Sequence, residues 1–327
     1  MNTMKAVVYT EYGSVDVLEL KEIEKPIPAD DEVLVKIFAA SVNAADWRLM
    51  RASPFLARLY TGLLRPTRFQ ILGADIAGRV EAVGKNVRQF HVGDEVFGDL
   101  SANNFGGFAE YKSARENTLA RKPGNIPYEE AAAAPLAAIT ALRGLRDTGK
   151  IQSGQKVLIY GASGGVGTFA LQLAKHFGAE VTAVCSTGNV VLARALGADQ
   201  VIDYTQEDFT RSGQQYDLIF AANGNRSIFD YKRVLTPRGS YVMAGGSTTQ
   251  LFQALLLGPL ISILSKQKMR SVSSSPNQAD LLFIKTLLES GKIKAVIDRR
   301  YPLSDLPEAI RYIEAGHAKG KVIINVA

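Results

Sequence analysis

The sequence predicts an α/β protein of two domains, a β-rich one followed by a doubly wound parallel sheet. Three observations carry this. The chain has 327 residues, more than a single hydrophobic core comfortably fills. Residues 1–125 are short alternating runs separated by Gly, Pro, Asn and Asp, the pattern of strands joined by tight turns. From residue 126 apolar strands alternate with helical segments, the signature of a parallel sheet covered by helices.

The elements follow in order. "KAVVYT", "DEVLVKIFAAS", "IAGRVEAVG" and "EVFGDL" are the strands of the first domain. In the second, "KVLIY" is a strand, "GVGTFALQLAKHFG" a helix, "EVTAVC" a strand, "VVLARALG" a helix, and "DQVIDY" and "YDLIF" strands. "SIFDYKRVL" is then a helix and "GSYVMAGG" a strand. The strands are almost continuously apolar, as a sheet buried on both faces requires. This second domain is expected over residues 126–273. Residues 274–327 give the helix "ADLLFIKTLLESGKI", a second helix ended by Gly316 and Gly320, and the strand "GKVIINV". They return to complete the first domain rather than form a third.

Composition narrows the function classes. The chain is 46% hydrophobic and 21% charged, as in ordinary soluble proteins. Its single cysteine, Cys185, excludes an internal disulfide and any multi-cysteine zinc site. The start "MNTMKAVVYT" lacks a secretory pattern, so cytoplasmic residence is expected. The net charge of +6 is spread along the chain, with no nucleic-acid motif; it fits a solvated surface and also favours a phosphate-rich small ligand. The longest apolar stretch, "LFQALLLGPLISIL" (251–264), is expected to be broken at Gly258 and Pro259 and is too short to span a bilayer. With the basic "KQKMR" after it, peripheral membrane contact remains open.

"KVLIYGASGGVGTFALQLAKHFGAEVTAVCSTGN" carries most of the chemistry. Gly161, Gly164, Gly165 and Gly167 stand between a strand and a helix. Glycine there permits a sharp turn, close approach of backbone to a pyrophosphate, and tight helix–strand packing. The helix N-terminus then offers N–H groups and partial positive charge to the phosphates. At the end of the next strand an Asp or Glu would hold the ribose of NAD and repel a 2′-phosphate. Here stand Cys185, Ser186, Thr187, Gly188 and Asn189, which tolerate a 2′-phosphate, so NADPH is the expected cofactor.

Beyond these signals, the chain resembles the medium-chain dehydrogenase/reductases, and within them the zinc-independent quinone oxidoreductase branch. The resemblance spans the whole length and rests on "ASVNAADWRL", "ILGADIAGRVEAVG", "VGDEVFG", "GGFAEY", "AAAAPLAAITAL", "GASGGVG" and "GADQVIDY". It implies a GroES-like catalytic domain and a Rossmann cofactor domain. Zinc-dependent members hold a metal with thiolate and imidazole. The matching positions here are Asn43, Ala74 and the "APLAA" stretch, which cannot replace those ligands, so no metal site is expected.

The resemblance then implies hydride transfer from NADPH to a quinone or an α,β-unsaturated carbonyl. Ser163, Gly164, Gly165, Val166 and Gly167 would line the pyrophosphate. Ser186, Thr187, Asn189 and Tyr204 would surround the adenosine ribose and its phosphate, Tyr204 being otherwise a half-buried strand-end residue. Asn223, Gly224 and Gly245 would pass beside the nicotinamide ribose, a plain turn being the competing reading. Thr140 and Lys321 are further cofactor candidates. Asn43 is expected to orient the nicotinamide or the carbonyl, and Asp46 to fix local structure in the active-site floor. "RASPFLARLYTGLLRPTRF" (51–69) would cap an apolar substrate, with Tyr60 as hydrogen-bond donor and most of its leucines packed in the core. Relatives commonly pair through an edge of the sheet, here "MRSVSSS", which makes a homodimer an expectation. The alternative function is an NADPH-binding protein with a non-catalytic sensing or membrane-surface role.

Overall fold

The structure is a computed structural model that describes residues 2–272 and 277–326. The chain divides into two compact units, Met1–Leu136 with Ser275–Ala327, and Ala137–Ser274.

Along the chain the first unit supplies β1 (Thr3–Val8), β2 (Glu19–Glu24), β3 (Glu32–Val42), α1 (Ala44–Arg51), α2 (Arg58–Thr61) and β4 (Asp75–Val83). It continues with β5 (Glu95–Asp99), β6 (Tyr111–Arg115), β7 (Leu119–Arg121) and α3 (Tyr128–Ala132), and α4 (Pro135–Leu142) follows. The second unit supplies β8 (Lys156–Tyr160), α5 (Gly165–His176), β9 (Glu180–Cys185), α6 (Val190–Ala195), β10 (Gln200–Asp203) and β11 (Tyr216–Ala221). After them come α7 (Ile228–Arg233), β12 (Leu235–Met243), α8 (Thr248–Leu264) and β13 (Lys268–Ser271). Back in the first unit are α9 (Gln278–Glu289), β14 (Ile297–Pro302), α10 (Leu306–Glu314) and β15 (Lys321–Asn325).

In the first unit the sheet runs β14-β15-β3-β4-β5-β7, with β6 also on β3. Alternation along β3 sends Val33, Val35 and Ile37 into a core shared with Ile76, Val80, Val96 and Phe108. The amphipathic α10 closes that core with Leu306, Ala309 and Ile310. Strand register decides the site. Val322 pairs with Val42, which brings Lys321 level with Asn43. Ser41 pairs with Asp75, and Asp75 in turn with Asp99, so these polar side chains line up across three neighbouring strands.

In the second unit the parallel sheet runs β10-β9-β8-β11-β12-β13. The order reverses between β8 and β11, and such a reversal opens a crevice at the carboxyl ends of the strands. Val157, Leu158 and Ile159 of β8 are wholly buried, as the apolar run requires.

Three expectations change. The division between units falls at 136/137, not 125/126. The alanine-rich α3 packs with the first unit: Ala131 and Ala132 are buried, the Tyr128 ring lies 4.7 Å from Phe38, and its hydroxyl donates to Glu95 Oε1 at 2.6 Å. The apolar stretch at 251–264 is not broken; α8 continues through Gly258 and Pro259. The leucines of 51–69 are not core either. Leu56, Leu59, Leu63 and Leu64 are all exposed, because the short α2 buries Thr61 instead. The far boundary at 273/274 and the end of the edge segment "MRSVSSS" lie outside the described residues.

Candidate active site

The glycine turn leaves β8 at its carboxyl end, beside the reversal point. Gly161 has φ +76°, a left-handed conformation that glycine adopts freely. Gly167 is required for a different reason: a Cβ there would lie 2.0 Å from Gly161 O, so only hydrogen lets α5 pack against the turn. At Gly164, by contrast, the nearest atom to an added Cβ is 3.7 Å away, and that space is open. The first N–H groups of α5 have no acceptor within the helix. Ser163, Gly164, Gly165 and Val166 are partly exposed around them. This cradle fits a pyrophosphate.

Beyond β9, Asn189 is buried, and its Nδ2 donates to Ser186 Oγ at 3.0 Å. Its Oδ1 is buried without a hydrogen-bond partner among the described residues, an acceptor suited to a ribose hydroxyl. Ser186 is half-buried and Thr187 exposed. Tyr204 follows β10, with its N–H on Cys185 O at 3.0 Å and its side chain 49% exposed, so the ring stands free beside this loop. Cys185 is buried, and burial pushes its thiol up to about 11, which leaves it inert.

Sequence reasoning missed one residue here. Asp203 lies in register with Cys185 on the neighbouring strand, so an acid stands near a loop that itself has none. Its Oδ1 accepts from Thr205 N at 3.0 Å and Thr205 Oγ1 at 2.8 Å, and Thr205 Oγ1 lies 2.9 Å from Thr187 Oγ1. Hydrogen bonds, that from Thr187 foremost, hold Asp203 below the usual carboxylate range. Only strand pairing reveals it.

At the ends of β11 and β12 the candidates meet the glycine turn. A Cβ on Gly161 would sit 3.1 Å from Asn223 N. Gly224 N donates to Gly245 O at 3.0 Å, and Gly224 bridges Gly246. A side chain at Gly224 would collide with the buried Gln250 amide, 2.3 Å away. The pattern is a ligand edge built from backbone, with Asn223 exposed upon it. Thr140 stands half-buried on α4.

In the first unit the structure collects Asn43, Asp46 and Lys321 with Ser41, Asp75 and Asp99, none of the last three anticipated. All are buried. Asp75 Oδ2 accepts from Ser41 Oγ at 2.7 Å, Asn43 Nδ2 at 2.9 Å and Lys321 Nζ at 3.2 Å, while its Oδ1 takes Leu136 N at 2.7 Å. Lys321 Nζ also donates to Asn43 Oδ1 at 2.5 Å. Both ends of the Asn43 carboxamide are thus engaged by protein. Asp46 caps α1, taking Asn43 N at 2.7 Å and, from the following loop, Gly73 N at 3.0 Å. Burial pushes Asp46 up to about 7, and burial with the nearby Asp75 charge pushes Asp99 up to about 6. Asp46 is therefore a structural cap in a dry setting, not a group poised at the surface.

Tyr60 stands outside this network. Its side chain is 54% exposed, with Arg68 stacked 4.2 Å from the ring and Phe69 5.5 Å away. Ala74 is buried and offers no ligand atom. Zinc does not fit the matching positions, because a lysine ammonium already occupies the Asn43 carboxamide, and a dication beside it would be repelled. Among the described residues no group of three His, Cys, Asp or Glu is placed to hold a metal.

A reversed parallel sheet with a phosphate-fitting glycine turn, joined to a β-rich unit with a buried polar network, defines a dinucleotide-dependent oxidoreductase. Family models agree: "Alcohol dehydrogenase GroES-like domain" matches residues 29–124 and "Zinc-binding dehydrogenase" residues 196–324. The chain belongs to the medium-chain dehydrogenase/reductase superfamily, in its zinc-independent quinone oxidoreductase-like branch. It is 39% identical to the 2-methylene-furan-3-one reductase of Solanum lycopersicum, over 98% of this chain and 79% of that one. Against the chloroplastic NADPH-dependent alkenal/one oxidoreductase of Arabidopsis thaliana it is 36% identical, with the same coverage of 98% and 79%. The solved quinone oxidoreductase from Coxiella burnetii superposes with a TM-score of 0.87 at 29% identity, covering 99% of this chain and 100% of that one.

Proposed function

We propose that this chain uses NADPH to reduce a quinone or an α,β-unsaturated carbonyl by hydride transfer, without a metal. The observation that carries the reading is the cradle at Gly161–Gly167 beside an acid-free loop, where the buried Asn189 Oδ1 awaits a donor. Relatives named as reductases of enones, alkenals and quinones supply the substrate class.

When bound, NADPH supplies the hydride. The protein's part is to position and to exclude water. Gly164 to Gly167 take the pyrophosphate on the α5 N-terminus, and Ser186, Thr187, Asn189 and Tyr204 take the adenosine ribose and its phosphate. Asn223, Gly224 and Gly245 form the edge beside the nicotinamide ribose. Asp75 and Lys321 hold Asn43, and Asp46 holds the turn that carries it. Tyr60, with a free phenol on an apolar segment, donates to the substrate carbonyl as negative charge develops on its oxygen. The product takes its proton from water, which explains why no strong general acid is needed.

The test is NADPH oxidation by pure protein with a panel of quinones, 2-alkenals and enones, with Tyr60→Phe alongside. Turnover with at least one acceptor, and a loss of about tenfold in kcat/KM for the variant, are expected. Absence of turnover with every acceptor, despite measured NADPH binding, would favour a non-catalytic role instead.

A further inference from the structure

We propose that the outward face of α8 is a contact surface for an anionic lipid bilayer. A helix on the surface of a soluble protein normally turns a polar face to water. In α8 the inward stripe, Leu251, Ala254, Leu257 and Ile261, packs into the core of its unit. The outward stripe is apolar as well: Phe252, Leu255, Leu256, Leu260, Ile263 and Leu264 are each at least 42% exposed. Contiguous apolar surface of this kind marks an interaction site.

Charge selects the occupant. Between Asp230 and Asp280, the stretch that contains α8, the sequence has six lysines and arginines and no acid. Their charge equals the whole chain's net charge of +6, so the rest of the molecule is balanced. Lys266 and Arg270, which follow the apolar face, are both exposed to solvent. An apolar face bordered by cations matches lipid tails beneath anionic headgroups. A second copy of the chain fits less well, because a two-fold contact would set each cationic border against itself. Among the described residues no helix is long and apolar enough to cross a membrane, and the proposed contact is peripheral.

The inference is independent of the enzymatic reading and its test does not use turnover as readout. The 327-residue protein is floated with vesicles of phosphatidylcholine alone and of phosphatidylcholine with phosphatidylglycerol. It is expected to float with the anionic vesicles only, and to be released at about 1 M salt, where the screening length falls to roughly 3 Å. Leu256→Glu with Leu260→Glu and Ile263→Glu lowers partitioning at least about tenfold, while thermal melting and NADPH binding stay unchanged. Should that variant misfold, Lys266→Glu weakens binding in the same direction through an exposed charge alone. Wild-type protein that remains unbound with both vesicle types overturns the proposal. So does light scattering that finds a dimer which the leucine variants split into monomers without any vesicle binding.

Discussion

Lys321 reaches Asn43 across nearly the whole sequence, its ammonium 2.5 Å from the carboxamide oxygen and 3.2 Å from Asp75. The last strand of the chain thereby neutralises a carboxylate buried beside the first helix. Removing that cation with Lys321→Met leaves Asp75 charged and dry. The expected cost is about 3–5 kcal/mol in urea unfolding, because a buried charge without its partner keeps its full desolvation penalty. Adding Asp75→Asn should recover part of the loss. A change in the single variant below about 1 kcal/mol would show the ion pair to be energetically idle.

The glycine turn separates folding from binding at neighbouring positions. Gly167→Ala puts a methyl group 2.0 Å from Gly161 O and should destabilise the protein by about 2 kcal/mol or more. Gly164→Ala meets nothing closer than 3.7 Å, so stability should hold or rise by about 0.5 kcal/mol. Its KM for NADPH should nonetheless increase, since the methyl takes the space of the pyrophosphate. Paired thermal melts and NADPH titrations check both outcomes.

Ser186→Asp places a carboxylate on the loop after β9 and should shift the ratio of kcat/KM from NADPH toward NADH. Asp203→Ala frees Thr187 and Thr205 from their shared acceptor and should raise KM for both cofactors without changing that ratio greatly. Kinetics with the two cofactors distinguish a residue that reads the phosphate from one that positions the loop. An unchanged ratio in Ser186→Asp would remove this loop from cofactor selection.

Asp99 faces Asp75 across the β4–β5 pairing, with Lys321 and Ser101 nearby, and titrates at about 6. The folded value is raised, so the native state holds a proton that the unfolded chain has already released. Stability from this group is present in full below about pH 4 and is lost as the pH rises through about 6. Asp99→Asn should flatten that part of the profile and stabilise the protein above pH 6 by about 2 kcal/mol. The slope that persists through pH 7 belongs to Asp46. Melting temperatures across the pH range test this directly, and a variant with the wild-type slope would contradict it.

The cofactor half of the molecule was legible in the sequence because its signals are local. Strand, glycine turn, helix and strand follow one another within "KVLIYGASGGVG…AVCSTGN", and each is dictated by near neighbours through periodicity and backbone freedom. The same locality misled at the domain boundary and at α8. The change to alternating strands and helices at residue 126 and a Gly-Pro pair are local cues, whereas the packing of α3 on its sheet and of α8 on β13 is decided by distant residues.

What the sequence by itself determined is therefore the fold class, the strand–glycine turn–helix unit of the second domain, and which residues stand at the positions that match zinc ligands. Only the tertiary structure decided which charges meet. Strand order set Ser41, Asp75 and Asp99 side by side, drew Lys321 to Asn43, brought Asp203 beside an acid-free loop, and turned the leucines of two segments outward. The reason is physical. Side-chain periodicity reports only the face of an element, while register and sheet order, fixed by the sum of long-range contacts, select the partner on that face.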